Sequence, residues 1–178
     1  MKKNIIFAFL TLIFFCSNSL YSQKKGFYEN VQKKHVSKVL DDLNTCAATA
    51  DFKNYFALYA EESTFVGTDA NEVWNKKEFM DYAKPHFDKG KAWSFTSLKR
   101  NITFSSDGKY AWFDELLETQ MKLCRGSGVL EKIGNQWRIK QYVLSMTIPN
   151  EVSSEVTKIK TPLEDALISE LKLNNSKD

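Results

Sequence analysis

The sequence predicts an α+β domain in which helices come first and a mainly antiparallel sheet follows. Three observations carry this reading. Apolar residues recur at helical spacing from Val31 to about Ala83, and the texture changes to alternation after Gly90. Two tight-turn signals, Asp107-Gly108 and Gly134-Asn135, then divide the alternating part into long strands. At 178 residues the chain is long enough for one domain with a proper core and too short for two ordinary ones.

Residues 1–22 read as a signal peptide. Lys2 and Lys3 make a positive start, and Ile5 to Phe15 is an apolar run interrupted only by Thr11. That run is too short to cross a bilayer as a helix. Ser22 and Ser19 offer cleavage points. Cys16 raises lipoprotein anchoring, but bulky Phe15 stands where such cleavage takes a small residue. The expectation is a periplasmic or extracellular protein with no stable membrane insertion once the peptide is removed. Its removal takes two lysines and no acid, leaving 23 basic against 22 acidic residues and a net charge near +1. That balance argues against a nucleic-acid partner. Cys46 and Cys124 remain; an oxidising compartment permits a disulfide, and two free buried thiols are the alternative. There is no CxxC and no His/Cys cluster, so neither a metal nor a cofactor is indicated.

Residues 23–30 form a short leader, and 31–150 the domain. Val36, Val39, Leu40, Leu43, Cys46, Ala47 and Ala50 step by threes and fours along one long amphipathic helix. Asp51 stands where an N-cap belongs, opening a short helix that presents Phe52, Tyr55, Phe56 and Tyr59. Thr64-Phe65-Val66 is a brief strand ending at Gly67-Thr68-Asp69. Asn75 with Glu78 has capping-box spacing for a helix carrying Phe79, Met80, Tyr82 and Ala83, which Pro85 should kink or end. Strands then follow from Trp93 to about Phe104, Tyr110 to Glu118, Leu123 to Ile133 and Gln136 to Ile148. The long first helix is the natural cover for such a meander. Residues 151–178 are a polar tail in which Leu163, Ala166, Leu167 and Leu171 allow a short helix after Pro162.

Four stretches sharpen the picture: Phe65-Val66-Gly67-Thr68-Asp69 with Trp74 close by, Ala111-Trp112-Phe113-Asp114-Glu115, Arg125-Gly126-Ser127-Gly128-Val129-Leu130, and Trp137-Arg138-Ile139-Lys140-Gln141-Tyr142. In this order they resemble SnoaL-like domains of secreted bacterial proteins, within the nuclear-transport-factor-2-like superfamily. The resemblance covers roughly residues 31–150. It implies a cone: a curved sheet wrapped around one long and two shorter helices, with a pocket at the open end. It also implies homodimers through the sheet. Members include isomerases, cyclases and dehydratases beside proteins that only bind ligands or dimerise, so the fold assigns no reaction.

Asp114 and Glu115 are the candidate catalytic pair. Consecutive strand residues face opposite ways, so at most one enters the cone. There it would act as a general acid or base with its pKa raised by Trp112, Phe113 and Phe65. The competing reading pairs it with Arg125 or Arg100 across neighbouring strands, holding register only. Arg125, Arg100 and Asp69 could bind a carboxylate ligand, or an Arg–Asp pair could clasp the Gly67–Asp69 turn to the sheet. Ser127 lacks the glycine at 125 that an esterase elbow needs. His86 near the cone mouth could pair with a carboxylate or simply face solvent, and with His35 it makes no metal site. Trp74, Trp112, Gln141 and Tyr142 complete the candidate ligand-binding set, Gln141 sharing the parity of inward-facing Trp137 and Ile139. These features favour an exported binder of a small organic ligand. An isomerase or lyase using a pocket carboxylate, and a non-catalytic dimerisation or interaction module, are the alternatives.

Overall fold

The structure, a computed structural model, describes residues 28–175. The expected signal peptide with Cys16, and residues 23–27 of the leader, lie outside the described residues. Residues 28–30 already belong to the first helix, α1, which runs over 28–48. The chain divides into two units, one ending at Ser145 and one beginning at Met146.

In the first unit, α1 buries Val36, Leu40, Leu43 and Ala47, the 3.6-residue stripe read from the sequence. Asp51 caps α2 (Phe52–Ala57) by accepting from the Asn54 N–H. That helix is shorter than expected, because Tyr59 opens a strand instead. β1 (Tyr59–Val66) is eight residues long and pairs antiparallel with β2 (Val73–Asn75). The capping box at α3 (Lys76–Phe87) has both legs: Asn75 accepts from the Glu78 N–H at 3.0 Å, and Glu78 accepts from the Asn75 N–H at 2.9 Å. Pro85 lies inside α3, which ends two residues later.

The strands β3 (Thr96–Phe104), β4 (Tyr110–Thr119), β5 (Lys122–Ile133) and β6 (Gln136–Met146) form the expected meander. Gly108 and Gly134 adopt the positive φ that their turns require. The sheet order is β2-β1-β6-β5-β4-β3, and β1 runs parallel to β6. The six-stranded curved sheet with its helices is the α+β cone fold. Its core joins the inner faces of α1 and α3 to Ala111, Phe113 and Leu117 of β4, Leu130 of β5 and Ile139 of β6.

Two irregularities decide which side chains point inward. On β3, Ser97 faces Leu117 and Lys99 faces Leu116, so Leu98 is an extra residue and stands exposed. Beyond it the inner positions become Arg100, Ile102 and Phe104. On β6, Trp137 and Ile139 are buried, and then Tyr142 and Leu144. Inward parity changes across Lys140-Gln141, which leaves Gln141 exposed and Tyr142 inside, the reverse of the parity expectation. Trp112, expected in the ligand-binding set, is half exposed on the outer face of β4. Cys46 and Cys124 are both free thiols.

In the second unit, a 3-10 turn (Asn150–Val152) leads into α4 (Ser153–Asn175). This helix of 23 residues is far longer than the short one expected after Pro162, which lies within it. Thr157 and Thr161 return their hydroxyls to the carbonyls of Ser153 and Thr157. Among the described residues no helix is long and apolar enough to cross a membrane.

Candidate functional site

An aromatic-walled cavity in the first unit measures about 180 Å³. Each surrounding element contributes: Leu43 and Asn44 from α1, Tyr55 from α2, Phe65 from β1, Trp74 from β2, Phe79 and Tyr82 from α3. Trp93 and Phe95 come from the segment before β3, Gln120 and Met121 from the β4–β5 turn, and Tyr142 and Leu144 from β6. Eight of these side chains are aromatic. Phe65 stacks on Phe79 at 3.9 Å between centroids, and Trp74 stacks on Tyr82 at 4.4 Å. Such interlocked rings make a preformed wall.

The rim is built by the loop between β1 and β2. The Gly67 N–H donates to the Glu72 carbonyl at 2.8 Å, and the Glu72 N–H donates to the Asp69 carbonyl at 3.0 Å. Asp69 Oδ1 accepts from the Asn71 N–H at 2.9 Å, an Asx turn. The Glu72 side chain folds back across Gly67, where Oε2 accepts the Asp69 N–H at 3.2 Å. A Cβ at Gly67 would lie 2.1 Å from that oxygen, so the fold-back needs glycine there. Glu72 and Trp74 are two residues apart in an extended stretch and both line the cavity, while Val73 between them is exposed. Asp69 therefore shapes the rim by hydrogen bonding within its own turn, and the Arg–Asp clasp from this turn to the sheet does not form.

Behind the cavity lies a buried charged cluster. Glu115 is 1% exposed and faces Arg100 across the β3–β4 ladder. Its Oε2 accepts from Arg100 Nε at 2.8 Å and from Ser97 Oγ at 2.9 Å, and its Oε1 accepts from the Tyr142 hydroxyl at 3.3 Å. Arg100 Nη2 also sits 2.8 Å from Oε2 but makes no hydrogen bond there. Nη1 reaches α1, donating to the Ser37 carbonyl at 3.1 Å and to Asp41 Oδ1 at 2.8 Å. Burial opposes the guanidinium charge, but Glu115 and Asp41 outweigh it and raise the Arg100 pKa. Gly126 makes room for this cluster: a Cβ there would meet Tyr142 Oη at 2.5 Å.

Tyr142 separates cluster from cavity. Its pKa is pushed well up, first by burial and then by the Glu115 carboxylate. Burial likewise raises Tyr55 and Tyr59, whose hydroxyls lie 3.4 Å apart. All three phenols remain protonated in neutral solution, as hydrogen-bonding groups and not as bases.

The candidate residues thus separate. Trp74 and Tyr142 line the cavity, whereas Glu115 and Arg100 bind each other behind it. Asp114 lies on the opposite face, where Asn101 Nδ2 donates to it at 3.1 Å and Arg125 approaches at 3.5 Å. Trp112, Arg125 and Gln141 share that outer face. His86 lies one ring beyond the cavity, 5.4 Å from Tyr82. Glu72, Asn44, Thr68 and Gln120 are the polar lining residues that sequence reasoning missed. Shared parity with Trp74 was the available signal for Glu72.

A second hollow of about 260 Å³ lies between the start of α1 and the turn at Ser105–Gly108. Of its polar groups, Gln32 is engaged by the Trp137 indole and Asp107 by Ser105.

The family model of the SnoaL-like domain matches residues 36–149, well over half of the chain. The chain belongs to the SnoaL-like domain family. Solved structures bear out the fold. An NTF2-like protein of unknown function from Pseudomonas putida KT2440 superposes with a TM-score of 0.59 at 11% identity, covering 69% of this chain and 92% of its own. A candidate dehydratase of the NTF2-like family from Streptomyces avermitilis gives 0.58 at 11%, covering 68% and 99%. A candidate scytalone dehydratase from Novosphingobium aromaticivorans gives 0.57 at 13%, covering 67% and 87%. No curated protein sequence matches the chain. At these identities the likeness is one of fold. The SnoaL-like domain here combines an aromatic cavity, a single carboxylate among its lining residues and a neutralised ion pair behind it.

Proposed function

We propose that this SnoaL-like protein is an exported binder of a small organic molecule held in the aromatic cavity. One observation carries the reading: about 180 Å³ of space, walled by eight aromatic rings, is left unfilled by the domain's own side chains. Apolar walls with a few polar groups at the rim are the common form of a ligand pocket. The volume suits a single substituted ring, somewhat more than the roughly 150 Å³ that accommodates benzene in an engineered cavity. Plain binding is favoured over proton transfer by Asp114 or Glu115. Asp114 lies on the outer face, and both Glu115 oxygens already accept hydrogen bonds behind Tyr142.

Export by a cleaved peptide ending at Ser22 belongs to the same proposal, as does membership of the secreted bacterial branch. Recovery of the protein from the cytoplasm with Met1 still attached would refute export. Pairing of two copies through the outer sheet face is also proposed, in keeping with half-exposed Trp112, Leu98 and Leu123 there. A monomer in sedimentation equilibrium at micromolar concentration would remove it.

The test of binding is a screen of small aromatic compounds against residues 23–178 by calorimetry, beside a Met121→Trp variant. Met121 lines the cavity, so the larger ring occupies the space. Hits should bind the parent and lose at least about tenfold in affinity on the variant. Hits that bind both equally would place the ligand elsewhere and sink the proposal.

A further inference from the structure

The charge pattern of the cavity narrows the ligand class. Of the sixteen lining residues one is charged, Glu72, and among the described residues no Lys, Arg or His lines the space. Two basic residues of the surrounding elements are committed elsewhere. Arg100 serves Glu115 and Asp41, and Lys76 bonds the Tyr59 carbonyl at 3.3 Å and Glu61 at 3.2 Å. Among the described residues Glu72 joins no ion pair; the only hydrogen bond its carboxylate accepts is the Asp69 N–H at 3.2 Å. Because Arg100 neutralises Glu115, the charge lining the cavity is one carboxylate, set beside the negative faces of the rings.

We infer that the cavity selects an organic cation, a small ammonium compound carrying an apolar or aromatic group. This rests on the binding reading above and names the ligand class of that same site. An ammonium group at the rim meets Glu72 and the Trp74–Tyr82 stack together, so one charge gains both an ion pair and a cation–π contact. A neutral ligand entering the same space would strip water from Glu72 and return at most a hydroxyl hydrogen bond, with no opposite charge. An anion would be repelled by the carboxylate and by the ring faces. Backbone geometry brings the two recognition elements together: alternation along 72–74 turns the acid and the indole to one side, and Gly67 lets the acid lie flat at the mouth.

Benzyltrimethylammonium, benzyl alcohol and phenylacetate present a similar ring with positive, neutral and negative substituents. Calorimetric titration of residues 23–178 with each should rank them in that order, the cation on the order of tenfold or more tighter than the alcohol. In Glu72→Gln the amide oxygen can still accept the Asp69 N–H, so the rim keeps its shape while the charge is lost. That variant should unfold at the same temperature and bring the cation to within about threefold of the alcohol. Trp74→Leu should weaken the cation more than the alcohol. If the alcohol binds the parent as tightly as the cation, and Met121→Trp weakens both, the cation inference falls and the binding reading stands. If none of the three binds, and the broader aromatic screen also yields no cavity hit, both fall.

Discussion

Replacing Arg100 with methionine tests the buried cluster directly. Arg100 is 11% exposed in its side chain and Glu115 1%, so the pair is shielded from water. Methionine keeps the apolar stem and removes the charge. Asp41 is 63% exposed and regains water, so its loss contributes little. The cost falls on Glu115, left buried with only the Ser97 and Tyr142 hydroxyls as donors. Breaking such a pair from one side costs about 3–5 kcal/mol, which for a domain of this size lowers the melting temperature by roughly 10 °C or more. Urea unfolding with linear extrapolation reads the value. Adding Glu115→Leu removes the stranded charge and should restore stability to within about 2 kcal/mol of the parent, the remainder being two unpaired hydroxyls. Affinity for a neutral ligand in the Arg100→Met protein should hardly change, because neither charged residue lines the cavity. A cost below about 1 kcal/mol would be that of an exposed pair and would refute the buried brace.

Gly128→Ala should destabilise by about 1–3 kcal/mol, since the added Cβ would lie 2.0 Å from the Gln141 carbonyl oxygen and one strand would have to move. Ser127→Ala beside it, on the outer face, should stay within about 0.5 kcal/mol in the same denaturation series. The Asp51 carboxyl is held below its ordinary pKa by the Asn54 side-chain hydrogen bond and then by the Asn54 N–H. A depressed folded value means that its stabilisation is present above the unfolded value of about 3.9 and fades as pH falls through the folded one. Thermal unfolding from pH 7 to pH 3 should therefore show the parent losing its advantage over Asp51→Ala in acid; a constant difference would refute the cap's pH dependence.

Local interactions were readable along the chain. The Asp51 cap, both legs of the Asn75–Glu78 box and the Asp107-Gly108 turn link residues within four positions of one another, so composition and spacing suffice to place them. The amphipathic stripe of α1 was legible because 3.6-residue periodicity persists over five turns. The sorting of candidate residues in and out of the cavity was not. Strand alternation holds only until it is interrupted, and the extra residue at Leu98 and the break in alternation at Lys140-Gln141 reverse parity with no local sign. The first swings Arg100 onto Glu115; the second exchanges Gln141 for Tyr142. Likewise β1 was read as three residues because its partner, β6, lies about eighty positions away and pairs with it in parallel. Which carboxylate reaches the cavity depends on such distant pairings, since a side chain's facing is set by the ladder its strand joins and not by its neighbours in sequence.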